Sequence, residues 1–166
     1  MYRTIQDFLD DWDAESQLTL NLFNALTDNS LSQKVVDDGR SLGFLAWHIT
    51  IAVSETMNKT GLKIPGPLED SDPPNNVVEI IEAYKTSAEA LADEVKEKLD
   101  ESSLFDELEL YGERWKRFQV FDMLIKHQIH HRGQMTVLMR QANLKLPGLY
   151  GPSKDEWLAM GAVPLK

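Results

Sequence analysis

Three of the four histidines in this chain fall within five residues, in the stretch "KHQIHHRGQM" from Lys126 to Met135, and the fourth, His48, stands far upstream in the apolar run "LGFLAWHITI". His127 and His131 are four residues apart. On a helix that puts them one turn apart on one face, with Cβ atoms about 5–6 Å from each other, a spacing that suits two ligands of one ion. Turned at about 100° per residue, the two rings share an arc with Val120, Leu124, Met135 and Leu138, while His130 falls to one side, toward Lys126 and Val137. The same construction upstream puts His48 on an inward face with Phe44, Leu45, Ile51 and Ala52, and Glu55 joins that face two turns later.

Three inward imidazoles need partners. A neutral ring carries one donor and one acceptor, and burying either unpaired costs on the order of 1–3 kcal/mol. A lone core histidine is best read as hydrogen-bonded to a Tyr, a Trp or a carboxylate. An i,i+4 pair plus a third inward histidine favours a divalent cation, which takes one nitrogen from each ring and keeps at least one open position. His48, His127 and His131 are therefore the candidate metal ligands, and zinc, nickel or iron would suit them. An open position would activate a bound thiol or a water. For water, Glu55 is the candidate base. The chain has no Cys, so it offers no thiolate ligand, disulfide or thiol nucleophile. It also lacks HExxH, a Glu three residues before any His, a GxSxG elbow, a P-loop and a dinucleotide fingerprint.

The elements that must position these residues read as helices. The first spans residues 3–26, with Ile5, Phe8, Leu9, Trp12, Leu20 and Phe23 at helical spacing. The second starts after Ser41, as N-cap, and ends near Gly61. The third follows "DPPNN", with Asn76 as cap, Glu79 three residues on, and a seam of Val77, Ile81, Tyr84, Ala88, Leu91 and Val95. The fourth, residues 117–143, carries the histidine cluster and stops before Pro147-Gly148. A short fifth has Ser153 as cap, Glu156 at its third position and Gly161 as stop. Residues 104–115 partly alternate and permit a small hairpin. The expected fold is an all-α four-helix bundle with long connections and a short extra C-terminal helix, one domain over residues 1–166. Gly133, unfavourable inside a helix, is expected to mark close approach of another backbone, and a dimerisation face around it would serve that end.

Composition narrows the function. With 42% hydrophobic and 27% charged residues the chain reads as globular, and no apolar run is long enough to cross a bilayer or resembles a signal peptide. The cytoplasm is the expected location. A net charge of −10 argues against a nucleic-acid surface. Yet residues 111–150 hold seven basic against two acidic residues, a net +5 that leaves −15 for the rest. The favoured reading is a basic last helix pairing with acidic neighbours; the other is a local pocket for an anionic small molecule.

"LAWHI" on the second helix, "HQIHHRGQM" on the fourth and the tail "LPGLYGPSKDEW" together resemble the DinB/YfiT-like superfamily of metalloenzymes. The tail is similar to that of the bacterial damage-inducible DinB proteins, which are distinct from the DNA polymerase sharing the label. The resemblance covers essentially the whole chain. It implies an up-down-down-up bundle, a homodimer, and a metal triad on His48, His127 and His131, with His130 in the motif but not a ligand. It further implies a metal-dependent thiol S-transferase acting on a small-molecule substrate, with bacillithiol or a similar thiol as co-substrate. Relatives include thiol transferases using bacillithiol or mycothiol, a mycothiol-dependent isomerase, and many without known activity. The alternatives are a metal-dependent hydrolase using activated water, or a non-catalytic, stress-induced bundle that binds a metal or a partner.

Overall fold

The computed structural model describes residues 2–164. Four long helices form it: α1 (Ile5–Asn24), α2 (Leu42–Asn58), α3 (Val77–Lys98) and α4 (Arg117–Gln141). A two-stranded hairpin, β1 (Glu107–Leu110) and β2 (Glu113–Lys116), precedes α4, and a short α5 (Lys154–Ala159) follows it. The helices begin where capping chemistry sets them. Thr4 and Asp7 form a reciprocal capping box on α1, Ser41 accepts from the Phe44 amide, Asn76 accepts from Val78 and Glu79, and Ser153 and Glu156 form a second box on α5.

Side-chain contacts give the helix directions. Trp12 Nε1 donates to the Ala88 carbonyl (3.0 Å) and Phe23 meets Tyr84 edge-on, so α1 and α3 run antiparallel. Phe8 stacks on Phe121 while Thr19 meets Gln128, so α1 and α4 run parallel. His48 meets His127 and His131, whereas Ile51 and Glu55, further along α2, share a cavity with the earlier Met123 and Leu124; α2 and α4 are thus antiparallel. The result is the up-down-down-up bundle, in which α2 and α3 are parallel. Parallel neighbours need a long crossover, and residues 59–76 supply it. Gly66 lets that crossover lie close against the bundle: a Cβ there would overlap the Ser54 side chain and come within 3.2 Å of Ser87 Oγ.

The core runs the length of the bundle, from Phe8, Trp12 and Phe121 to Leu42, Ile49 and Met57. α2 is buried nearly all round, because it lies against both α3 and α4 and is covered by its flanking connections. The arc expected for α4 is buried, with Val120 and Met135 at 0%, Leu124 at 1% and Leu138 at 2% exposure, and it reaches further round the helix than apolar periodicity indicates. The buried face of α4 also carries Gln128 and Arg132, at 0% and 1% exposure, and His127 lies at the edge of that face. Arg132 is ion-paired to Glu15 of α1 and donates to Thr19 Oγ1 (3.0 Å), while Tyr150 from the C-terminal segment also donates to Glu15 (2.8 Å). Gln128 Oε1 accepts from Thr19 (2.9 Å) and Tyr84 (2.7 Å). A charged side chain paired in this way can occupy a core position, which a hydrophobic-periodicity reading leaves out. Gly133 touches no other element of its own chain: a Cβ there would meet nothing within 4 Å.

Candidate metal centre

His48 sits mid-way along α2, and His127 and His131 stand one turn apart on α4 where the two helices face each other. Their Nε2 atoms converge. His48 Nε2 and His131 Nε2 each lie 3.1 Å from His127 Nε2, and one nitrogen from each ring falls within a 4.8 Å group. No Tyr, Trp or carboxylate hydrogen-bonds these rings among the described residues; the one non-histidine partner is Gln134. His131 Nδ1 lies 2.7 Å from Gln134 Oε1. A carbonyl oxygen can only accept, so that bond puts the proton on Nδ1 and leaves the His131 Nε2 lone pair aimed at the cluster. His130 is exposed and offers no nitrogen to the group, although its ring lies 4.9 Å from that of His131.

Hydrogen bonding among the three rings does not satisfy this arrangement. His127 Nε2 carries either one hydrogen or one lone pair, so it can complete a bond with one neighbour and not with both. His127 Nδ1 is buried without a partner. A cation answers three converging lone pairs at once. Zinc–nitrogen distances of 2.0–2.1 Å in a tetrahedral shell place ligand nitrogens about 3.3 Å apart, close to the 3.1 Å seen here. The three residues can hold a metal ion.

Burial and neighbouring positive charge keep the three rings neutral. Burial first, and then the neighbouring imidazoles of His131 and His48, push the His127 ring down to about 4. His48 is lowered by burial, then by His131 and Arg40; His131 is lowered by burial, against the opposing pull of its Gln134 bond. Neutral imidazoles are the ligating form. Arg40 extends this environment: its guanidinium lies 5.0 Å over the Phe44 ring, which stacks on His48 at 5.9 Å. Arg40 and Gln134 also line a shallow cleft on that side of the cluster.

A cavity of about 440 Å³ opens beside His48 and His127. Its walls are Ile51 and Ala52 of α2 and Met123 and Leu124 of α4, and its far end carries Glu55, Thr56, Glu69 and Tyr111. The volume suits a small molecule. Glu55 shares this cavity with the histidines, but its carboxylate is already engaged: Oε2 accepts from Tyr111 (2.8 Å) and Thr56 (3.1 Å), and Oε1 is ion-paired to Lys59. A carboxylate with three donors is a poor proton acceptor, which weakens Glu55 as a base. The basic residues of the 111–150 segment do not line the cavity. Four are paired with acids instead: Arg114 with Glu107, Arg117 with Asp106, Lys126 with Asp122 and Arg132 with Glu15. Tyr111, Gln134 and Arg40 were not singled out by periodicity. Each lies outside the helical stripes that mark a core, and only the packed fold brings them to the site.

Known proteins resemble this chain in sequence and fold. The DinB family profile matches residues 1–161. The Bacillus subtilis (strain 168) protein YrdA, described as uncharacterized, is 37% identical over 161 residues, spanning 97% of this chain and 96% of YrdA. The crystal structure of a DinB-like protein from Bacillus cereus ATCC 10987 matches with a TM-score of 0.87 and 37% identity, covering 90% of this chain and 100% of that one. The DinB-like protein YjoA of Bacillus subtilis matches at a TM-score of 0.68 and 20% identity, over 86% of this chain and 96% of that one, a likeness of fold.

Proposed function

We propose that this chain, which belongs to the DinB family, is a metal-dependent thiol S-transferase whose cation is held by His48, His127 and His131. The observation that carries this reading is the convergence of three Nε2 atoms beside a small-molecule cavity that His48 and His127 help to line. A divalent cation held by these three histidines would supply Lewis acidity, the chemistry that favours thiolate over thiol near neutral pH. The chain's own residues do the rest. Gln134 fixes the His131 tautomer. Arg40 makes no ion pair among the described residues and lies beside the cluster, so it is placed to hold a carboxylate of the thiol co-substrate. Ile51, Ala52, Met123 and Leu124 provide an apolar bed for the electrophile. In the transfer a sulfur–carbon bond forms as the bond from carbon to its leaving group breaks, and the thiol proton passes to solvent. No protein nucleophile is required, which accords with a chain lacking Cys.

The test is thioether formation from bacillithiol and a chromogenic aryl chloride, using metal-loaded and chelated protein. Turnover that appears with metal and disappears in His48→Ala supports the reading. Full metal loading with no consumption of any cellular thiol overturns it; hydrolysis by the same loaded protein would then assign the site to activated water, and no turnover at all to a binding bundle.

A further inference from the structure

The far end of the cavity makes a second statement about what enters it. From His48 to Glu55 is seven residues of helix, about 10 Å of rise, so the cavity is a trough with the imidazoles at one end. At the other end stands Tyr111, brought there by the tip of the β1–β2 hairpin. Tyr111 and Gly112 both have positive φ, 53° and 80°. That is the tight hairpin turn in which Asn, Asp or Gly usually takes the first position, and a bulky residue there is uncommon. The conformation aims the Tyr111 hydroxyl at Glu55 and its ring at the ammonium of Lys59, 5.0 Å from the ring centroid. Lys59 does not line the cavity, yet its Nζ is paired to Glu55 and lies 4.0 Å from Glu69. An alkylammonium of the chain itself is thus held by the carboxylates and the aromatic face that close the trough. No Lys or Arg lines the cavity to receive an anion.

We infer that the electrophilic substrate is an amphipathic amine: its apolar body lies along Ile51, Ala52, Met123 and Leu124, and its ammonium head is received by Glu55, Glu69 and the Tyr111 ring. The inference rests on the reading that this cavity is the reacting site. Lys59 is the internal competitor for the same acceptors, which a bound ammonium would displace from Glu55, and an anionic head is disfavoured because the two carboxylates outweigh the single Lys59 charge at that end.

The experiment is an NMR titration of the full chain, metal-free and zinc-loaded, with hexylamine, hexanol and hexanoate. Hexylamine should shift the Thr56 and Tyr111 amides in both forms and, in metal-free protein where no zinc can take the carboxylate, bind about tenfold or more tightly than hexanoate, the range that one charge-assisted contact supplies. Glu55→Gln should remove that preference while leaving hexanol binding unchanged, which also shows that the variant is folded. Lys59→Met should tighten hexylamine binding. Hexanoate binding metal-free protein as tightly as hexylamine, an equal loss of hexanol and hexylamine in Glu55→Gln, or weaker hexylamine binding in Lys59→Met would each overturn the inference. Retained amine preference in a protein that consumes no thiol sinks the transferase alone; thiol transfer with no amine preference sinks this inference alone.

Discussion

Replacing Gln134 with Leu tests whether the histidine cluster is organised for a metal. Gln134 Oε1 accepts from His131 Nδ1 at 2.7 Å, and His131 is 5% exposed, so little water is at hand to replace that bond. A neutral hydrogen bond of this kind contributes about 0.5–1.5 kcal/mol net. Without it, His131 loses its bias toward the tautomer with the lone pair on Nε2 and its ring is freer to rotate. Loss of partners that orient metal-bound histidines typically costs 10–100-fold in affinity, or about 1.4–2.8 kcal/mol. The lower half of that range is expected, because Gln134 is itself exposed and the change removes one neutral bond. Gln134→Glu keeps an acceptor and should bind metal at least as tightly as the parent. The assay is competition for zinc against a chromophoric chelator, with cobalt absorption reporting coordination number. A Gln134→Leu affinity within twofold of the parent would refute the tautomer argument.

Other outcomes follow from the same geometry. His48→Ala, His127→Ala and His131→Ala should each lose bound metal by elemental analysis, whereas His130→Ala should retain it; equal loss from His130→Ala would place that ring in the coordination sphere. Arg132→Ala strands the Glu15 carboxylate in the core and should cost about 3–5 kcal/mol in urea unfolding, while loss of 1 kcal/mol or less would show that the pair is solvated. His127 is depressed to about 4 from an ordinary 6.5, so between those pH values the unfolded chain binds a proton that the folded chain refuses. Metal-free protein should therefore hold its full contribution from His127 above pH 6.5 and lose it progressively down to about pH 4, with a flatter profile for His127→Gln. Ile129, Gly133 and Val137 form an exposed stripe on α4. If it pairs two copies, light scattering should give a dimer that Val137→Asp dissociates, and a monomeric parent at micromolar concentration would reject the pairing.

What the sequence revealed follows the strength of its periodic signals. The starts of α2, α3 and α5 were legible because Ser41, Asn76 and Ser153 cap helices by local chemistry that does not depend on the rest of the fold. The convergence of His48, His127 and His131 was legible because an i,i+4 pair and one further inward histidine are unusual company for an apolar stripe. Arg132 and Gln128 were hidden, since nothing local to α4 shows that Glu15, Thr19 and Tyr84 wait on other helices to satisfy them. Tyr111 was hidden for another reason: a tyrosine in a tight turn has no stripe, and its partner Glu55 lies 56 residues away. Gly133 makes no contact inside its own chain: a helical glycine is costly without being evidence of intrachain packing, and here its open side faces away from the bundle.

These two sets of polar residues are related by the helix that carries them. Gln128 and Arg132 follow His127 and His131 by one residue each, so α4 bears two stripes about 100° apart, one toward α1 and one toward α2. Fixing the first fixes the second. Arg132 can meet Glu15, and Gln128 can meet Thr19 and Tyr84, only at one rotation of α4 about its axis. At that rotation His127 and His131 face His48. A wholly apolar stripe of similar volume would pack α4 against α1 with less demand on its rotation, and a turn of one residue would swing the imidazoles out of reach of α2. Registry is the best-attested use of buried ionic groups. Here it explains why a bundle with an ample hydrophobic core keeps an arginine, a glutamate and a glutamine inside it: they set the angle at which α4 presents its histidines.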